Sequence, residues 1–172
     1  MRWTLRAVIL GSLLVAAAEA RAAVWAVNAT GCTSAEGARY SVSSGSASYR
    51  STTQSGSLTL YCPIATAPPA CPTTYRLRLT YLDPDGSSPL VGVTAQLLRQ
   101  SQQDGSFLGA VPGASVSSGS SNVLVPTSRT SSPFDHDFSA LGDDYTVRVD
   151  LSRTILSNQV TAFYGIALEC TD

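Results

Sequence analysis

Three stretches of this chain alternate between apolar and polar residues, and that two-residue period constrains the fold more than any other feature. Tyr75, Leu77, Leu79 and Tyr81 share one phase, with Arg76, Arg78 and Thr80 on the other. Tyr145, Val147, Val149 and Leu151 alternate with Thr146, Arg148 and Asp150. Val160, Ala162, Tyr164, Ile166, Leu168 and Cys170 alternate with Thr161, Phe163, Gly165 and Glu169. Successive side chains of an extended strand point to opposite faces, so each stretch predicts a strand with one face in a core. Helical periodicity is nearly absent. Weaker strand candidates are residues 23–27, 38–42, 57–62, 91–98, 106–111, 122–125 and 134–138.

Turn formers separate these segments: Pro63, Pro68-Pro69, Asp83-Pro84-Asp85-Gly86, Asp104-Gly105, Pro112-Gly113 and Gly142-Asp143. Roughly ten short strands without helical crossovers predict a single antiparallel β-sandwich, of jelly-roll or immunoglobulin-like topology. The Ser/Gly-rich stretches 43–48 and 115–121 read as mobile loops.

The first residues read as an address. Arg2 and Arg6 precede a 12-residue apolar run, residues 7–18, and small-x-small sites end at Ala20 and Ala22. That is the layout of a secretory signal peptide, and the run falls short of the ~20 residues of a spanning helix. The expected division is a signal peptide over 1–22 and a β-sandwich domain over 23–172, with no membrane association after cleavage. A lipoprotein reading through Cys32 is disfavoured, because the cysteine lies well beyond the apolar run. Asn28-Ala29-Thr30 matches an N-glycosylation acceptor, a pattern short enough to arise by chance.

Charge narrows the function classes. All eleven cations are arginine, charged residues are only 13%, and the formal net charge is −1. Cleavage after Ala22 removes three arginines and one glutamate, which takes the net charge to −3. Such a chain lacks the clustered positive excess that phosphate neutralisation needs, so nucleic acid is not an expected partner.

Cys32, Cys62, Cys71 and Cys170 read as two disulfides in an oxidising compartment. No pair has zinc-knuckle spacing, and the only histidine, His136, is remote in sequence. Three connectivities stay open. If the strand after Cys71 and the strand ending at Cys170 are antiparallel neighbours, those two cysteines meet, which leaves Cys32 with Cys62. Loop closure favours Cys62 with Cys71 instead, pairing Cys32 with Cys170. An immunoglobulin-like core would join Cys62 to Cys170 between sheets.

Gly31-Cys32, then Leu60-Tyr61-Cys62-Pro63-Ile64, then Tyr81-Leu82-Asp83, Val93-Thr94-Ala95-Gln96-Leu97 and Tyr145-Thr146-Val147-Arg148-Val149 follow in that order. This layout resembles a loose group of small secreted bacterial β-sandwich proteins with a Tyr-Cys-Pro motif and no established activity. Many similar sequences carry two further cysteines about where Ala95 and Val149 stand here, and this chain has Cys71 and Cys170 instead. The resemblance implies the fold and the compartment, and its Gly-Cys and Tyr-Cys-Pro motifs suggest the pairing of Cys32 with Cys62.

No catalytic set is legible. A serine hydrolase would have to use His136, in Asp135-His136-Asp137, as its base, and no Gly-x-Ser-x-Gly elbow exists. His136 is expected on the exposed side of a strand. Beyond Glu19, the glutamates are Glu36 and Glu169, and Asp83, Asp85, Asp104, Asp143 and Asp144 sit in turn-like contexts, which explains them without acid–base chemistry. Asp83 and Asp85 resemble the opening of a calcium loop, but the closing ligands are missing, so no cofactor or metal is expected.

Glycan binding would use exposed aromatic rings. Trp25, Tyr40, Tyr49 and Tyr61 are the ligand-binding candidates, whereas Tyr75, Tyr81, Tyr145 and Tyr164 fall on the core phase. The sequence therefore predicts an exported, non-catalytic binding or structural module whose ligand the residues do not name, a glycan and a cell-surface protein being the candidate partners. A small secreted hydrolase or carbohydrate-binding protein, and a pilus-type subunit, are the alternatives. Strand donation is disfavoured by the complete final strand before Glu169-Cys170-Thr171-Asp172.

Overall fold

A computed structural model describes residues 23–34, 36–37, 39–51, 53–64, 68, 70–84, 90–119, 125–138, 142–154 and 161–171. The signal segment 1–22, Asp85, Pro69, Val160 and most of the candidate strand 122–125 lie outside the described residues.

Among the described residues, eleven strands build two sheets. The first has the order β3 (Tyr40–Ser43), β4 (Ser46–Tyr49), β11 (Ala162–Thr171), β6 (Thr74–Leu82) and β9 (Thr127–Thr130). β1 (Ala23–Asn28) joins it by pairing with β11. The second has the order β2 (Thr33–Ser34), β5 (Gly56–Ile64), β10 (Asp143–Arg153), β7 (Val91–Ser101) and β8 (Phe107–Ser117). Every pairing between these strands is antiparallel. The expected single antiparallel β-sandwich is the observed architecture.

The alternation explains the packing. Tyr75, Leu77, Leu79 and Tyr81 of β6 are buried, as are Leu58, Leu60 and Cys62 of β5 and Val147, Val149 and Leu151 of β10. They join Val93, Ala95 and Leu97 of β7 in one core between the sheets. Each fully buried aliphatic or aromatic side chain of this kind stabilises the fold by roughly 1.5–3 kcal/mol.

Besides the turn formers Pro63 and Pro112-Gly113, which lie within β5 and β8, four sequence expectations about the strands and loops need correcting. First, β11 does not keep one phase. Phe163 stands opposite Tyr81 and Gly165 opposite Thr80, so Tyr164 is an extra residue in a β-bulge. Before the bulge Phe163 faces the core, fully buried; after it Ile166 and Leu168 do. Tyr164, expected in the core, lines the outer surface beside Arg78 and Thr80.

Second, the stretch 43–48 is not a loose loop. β3 and β4 form a hairpin whose turn, Ser44-Gly45, has φ of 52° and 80°. Both residues with positive φ match the turn whose twist suits a two-residue hairpin. Third, Ser115, Val116 and Ser117 belong to β8 and stand opposite Gln96, Ala95 and Thr94. The Oγ of Ser118 accepts a hydrogen bond from the Val93 amide at 3.0 Å, so serine closes this edge rather than loosening it. Fourth, segment 134–138 is not a strand; it makes a single bridge, Phe134 opposite Tyr75.

The disulfides are Cys32–Cys62 and Cys71–Cys170. β2 pairs with β5 so that Thr33 faces Tyr61, which brings Cys32 beside Cys62. β6 and β11 are antiparallel neighbours, with Tyr75 opposite Cys170, so the start of one lies against the end of the other. Cys32 and Cys71 lie just before β2 and β6, so each bridge joins the segment leading into one strand to another strand of the same sheet. The immunoglobulin-style link between sheets is not made.

Candidate functional site

Of the four ligand-binding candidates, only Tyr61 is an open surface ring. Tyr49 is buried, and its hydroxyl lies 2.7 Å from the Leu151 carbonyl and 2.5 Å from the Gly56 carbonyl. The Arg153 guanidinium sits 4.9 Å over its ring centre, and burial pushes the Tyr49 hydroxyl up to about 12. Tyr49 therefore ties two strands together and presents no open ring on the surface. Trp25 and Tyr40 are half-buried and packed against the core. Tyr61 is 40% exposed, because its neighbours Leu60 and Cys62 take the inward phase.

Strand register places Tyr61 in a row. It faces Arg148 on β10, Arg148 faces Gln96 on β7, and Gln96 faces Ser115 on β8. A second row, one pleat away, runs Thr59, Asp150, Thr94, Ser117. Between the rows, Leu60, Val149, Ala95 and Val116 point the other way, into the core. Outward side chains two residues apart line the same face, so the rows form one polar surface across four strands. A trough of about 380 Å³ lies over the β10, β7 and β8 part of it, lined by Thr94, Gln96, Ser115, Ser117, Arg148 and Asp150, with Tyr61 and Thr59 of β5 outside the lining.

The centre of this surface is prearranged. Thr59 donates its hydroxyl to Asp150 Oδ1 at 2.6 Å, and Arg148 Nε lies 2.8 Å from Asp150 Oδ2. The pair is partly open to water, with side-chain exposures of 44% for Arg148 and 25% for Asp150. Among the described residues, the Arg148 Nη groups and the side chains of Thr94, Gln96, Ser115 and Ser117 make no hydrogen bond to protein. They stand ready for a ligand that both donates and accepts.

Sequence alternation had put Thr146, Arg148 and Asp150 on the outward phase of their strand. It carried no sign that Tyr61, Gln96 and Ser115 would stand beside them, because the strand order β5-β10-β7-β8 is set by long-range pairing.

His136 occupies a different place. It is half-buried at one end of the sandwich, not on an exposed strand face. Its Nε2 is 3.0 Å from the Tyr145 hydroxyl, and its ring meets those of Phe138 and Tyr145 edge-on, at 4.7 and 5.4 Å. Phe138 in turn packs on Tyr75 at 4.9 Å. Desolvation, with nearby Arg99, lowers the His136 pKa, and desolvation raises that of Tyr145. The Arg99 guanidinium pairs with Asp143 at 3.3 Å. No serine or threonine hydroxyl is bonded to the His136 ring among the described residues.

Asp83 is buried rather than open to a solvated cation, and its proposed partner Asp85 lies outside the described residues. No group of three or more His, Cys, Asp or Glu among the described residues is placed to hold a metal ion.

On the other sheet a shallow depression of about 320 Å³ lies between Asn28, Tyr164 and Arg78, over Ala26, Gly165 and Ala167. No protein-family model matches this chain, and no curated protein sequence matches it.

Proposed function

We propose that this protein is an exported, non-catalytic β-sandwich that binds glycan on the outer face of β5, β10, β7 and β8. The observation carrying this reading is the registered row Tyr61–Arg148–Gln96–Ser115. A sugar ring has an apolar C–H face and a rim of hydroxyls. Tyr61 suits the first, and the fixed guanidinium, amide and hydroxyls beside it suit the second.

Export fits the two disulfides, which persist in oxidising compartments. It also fits the signal-like segment 1–22 and the resemblance to small secreted bacterial proteins. No helix among the described residues is long and apolar enough to cross a membrane.

The test is binding of the purified mature protein to an immobilised glycan panel, alongside Tyr61→Ala. The expected result is a captured glycan whose affinity falls at least tenfold in the variant, about 1.4 kcal/mol. Unchanged capture by Tyr61→Ala would move the site off this face. Glycan turnover abolished by His136→Ala would overturn the non-catalytic part.

A further inference from the structure

The binding face has a length, a direction and a charge, and these narrow the ligand class. We infer that its occupant is a neutral oligosaccharide chain of about trisaccharide length, laid across the strands with one sugar on Tyr61. This rests on the glycan reading of the face.

Direction follows from the register. Binding groups recur on four successive strands at one level: Tyr61 on β5, Arg148 on β10, Gln96 on β7, Ser115 on β8. The second row repeats this with Thr59, Asp150, Thr94 and Ser117. A chain crossing the strands meets every one of these groups, whereas a chain running along one strand meets only two. Neighbouring strands lie about 4.8 Å apart, so three steps span about 14 Å, the reach of a trisaccharide and not of one sugar.

Charge follows from the pairing. Across both rows the charged side chains are Arg148 and Asp150, held 2.8 Å apart, so the rows carry no net charge. A uronate carboxylate approaching Arg148 would also approach Asp150, and that repulsion offsets the attraction. A neutral vicinal diol meets no such penalty. One hydroxyl oxygen accepts from an Arg148 Nη group while its neighbour donates to a remaining Asp150 lone pair. Arg148 is fixed through Nε, so this donor is ordered before the ligand arrives.

The experiment titrates purified mature protein with neutral glucan, xylan, mannan and galactan oligomers, graded from single sugars to hexasaccharides, and with oligogalacturonates of matching length. The expected result is affinity for a neutral series that rises at least tenfold from monomer to trimer and then levels. The uronates should bind at least tenfold more weakly. Arg148→Gln and Arg148→Lys should each lose most of the trimer affinity, because lysine keeps the charge without the paired Nη donors. Ser128→Ala on the opposite sheet should lose none.

Preference for uronates, or monomers that bind as tightly as trimers, overturns the inference; if Tyr61→Ala still abolishes that binding, the glycan reading of the face stands. Binding to no member by folded protein, or binding indifferent to Tyr61→Ala, overturns both. Circular dichroism and an unchanged unfolding midpoint establish that each variant is folded.

Discussion

The two outer faces of the sandwich hold the same kinds of residue, a tyrosine beside an arginine–carboxylate pair, and use them differently. On one face Arg148 and Asp150 lie two residues apart on β10, and a quarter of the Asp150 side chain remains exposed. On the other, Arg78 of β6 meets Glu169 of β11 at 2.5 Å, and only 9% of the Glu169 side chain is exposed. The first pair is a surface feature with donors left over. The second joins two central strands. The solvation of the carboxylate separates the roles: a desolvated carboxylate that loses its partner is costly, whereas a solvated one is nearly indifferent.

The tyrosines differ in origin as well. Tyr61 is outside because β5 keeps its alternation through Ile64. Tyr164 is outside because the bulge in β11 adds a residue and reverses the phase. One face is the direct product of binary pattern; the other is a product of its interruption.

The largest effect expected from dissecting this contrast concerns the disulfides, since each sheet holds one. Cys71–Cys170 closes a separation of 99 residues and Cys32–Cys62 one of 30. On chain-entropy grounds, replacing the first pair by alanine should cost about 4.7 kcal/mol and the second about 3.6 kcal/mol, read by urea unfolding. Equal losses would show that native packing, not loop length, dominates.

Next comes the bulge. Phe163→Ala should cost about 3–5 kcal/mol, because a buried ring is lost. Tyr164→Ala, one residue on, should stay within about 0.5 kcal/mol as a surface change. Similar costs at both positions would refute the phase reversal. A smaller effect separates the ion pairs. Glu169→Gln should destabilise by about 1–2 kcal/mol, less than a fully buried pair because the Arg78 side chain stays 41% exposed. Asp150→Asn should cost under about 0.5 kcal/mol while weakening glycan capture.

The smallest effect belongs to His136, which lies away from both faces. Burial and Arg99 hold its pKa below the ordinary 6.5, so the unfolded chain takes up the proton first. Its contribution to stability is therefore complete above about pH 6.5 and is lost as the pH falls below that value. Unfolding midpoints followed from neutral to mildly acidic pH should decline more in the natural protein than in His136→Phe. Equal slopes would assign the decline to the carboxylates.

The sequence by itself determined the strands of regular period, the core residues of β6 and β10 and the sandwich class. It also restricted the disulfides to three pairings and put Tyr61 outside. These follow from local rules, since a two-residue period assigns each side chain to a face without reference to any neighbour. Only the tertiary structure decided which strands adjoin, and so which disulfides form and which polar side chains meet. Arg148, Gln96 and Ser115 are brought together by pairings between residues 52 and 19 positions apart in the chain. The same holds for the burial of Tyr49, which depends on the distant Leu151 carbonyl and Arg153. Tyr164 marks the remaining limit. Nothing in the apolar pattern of β11 announces a bulge, because the register break exists only against β6.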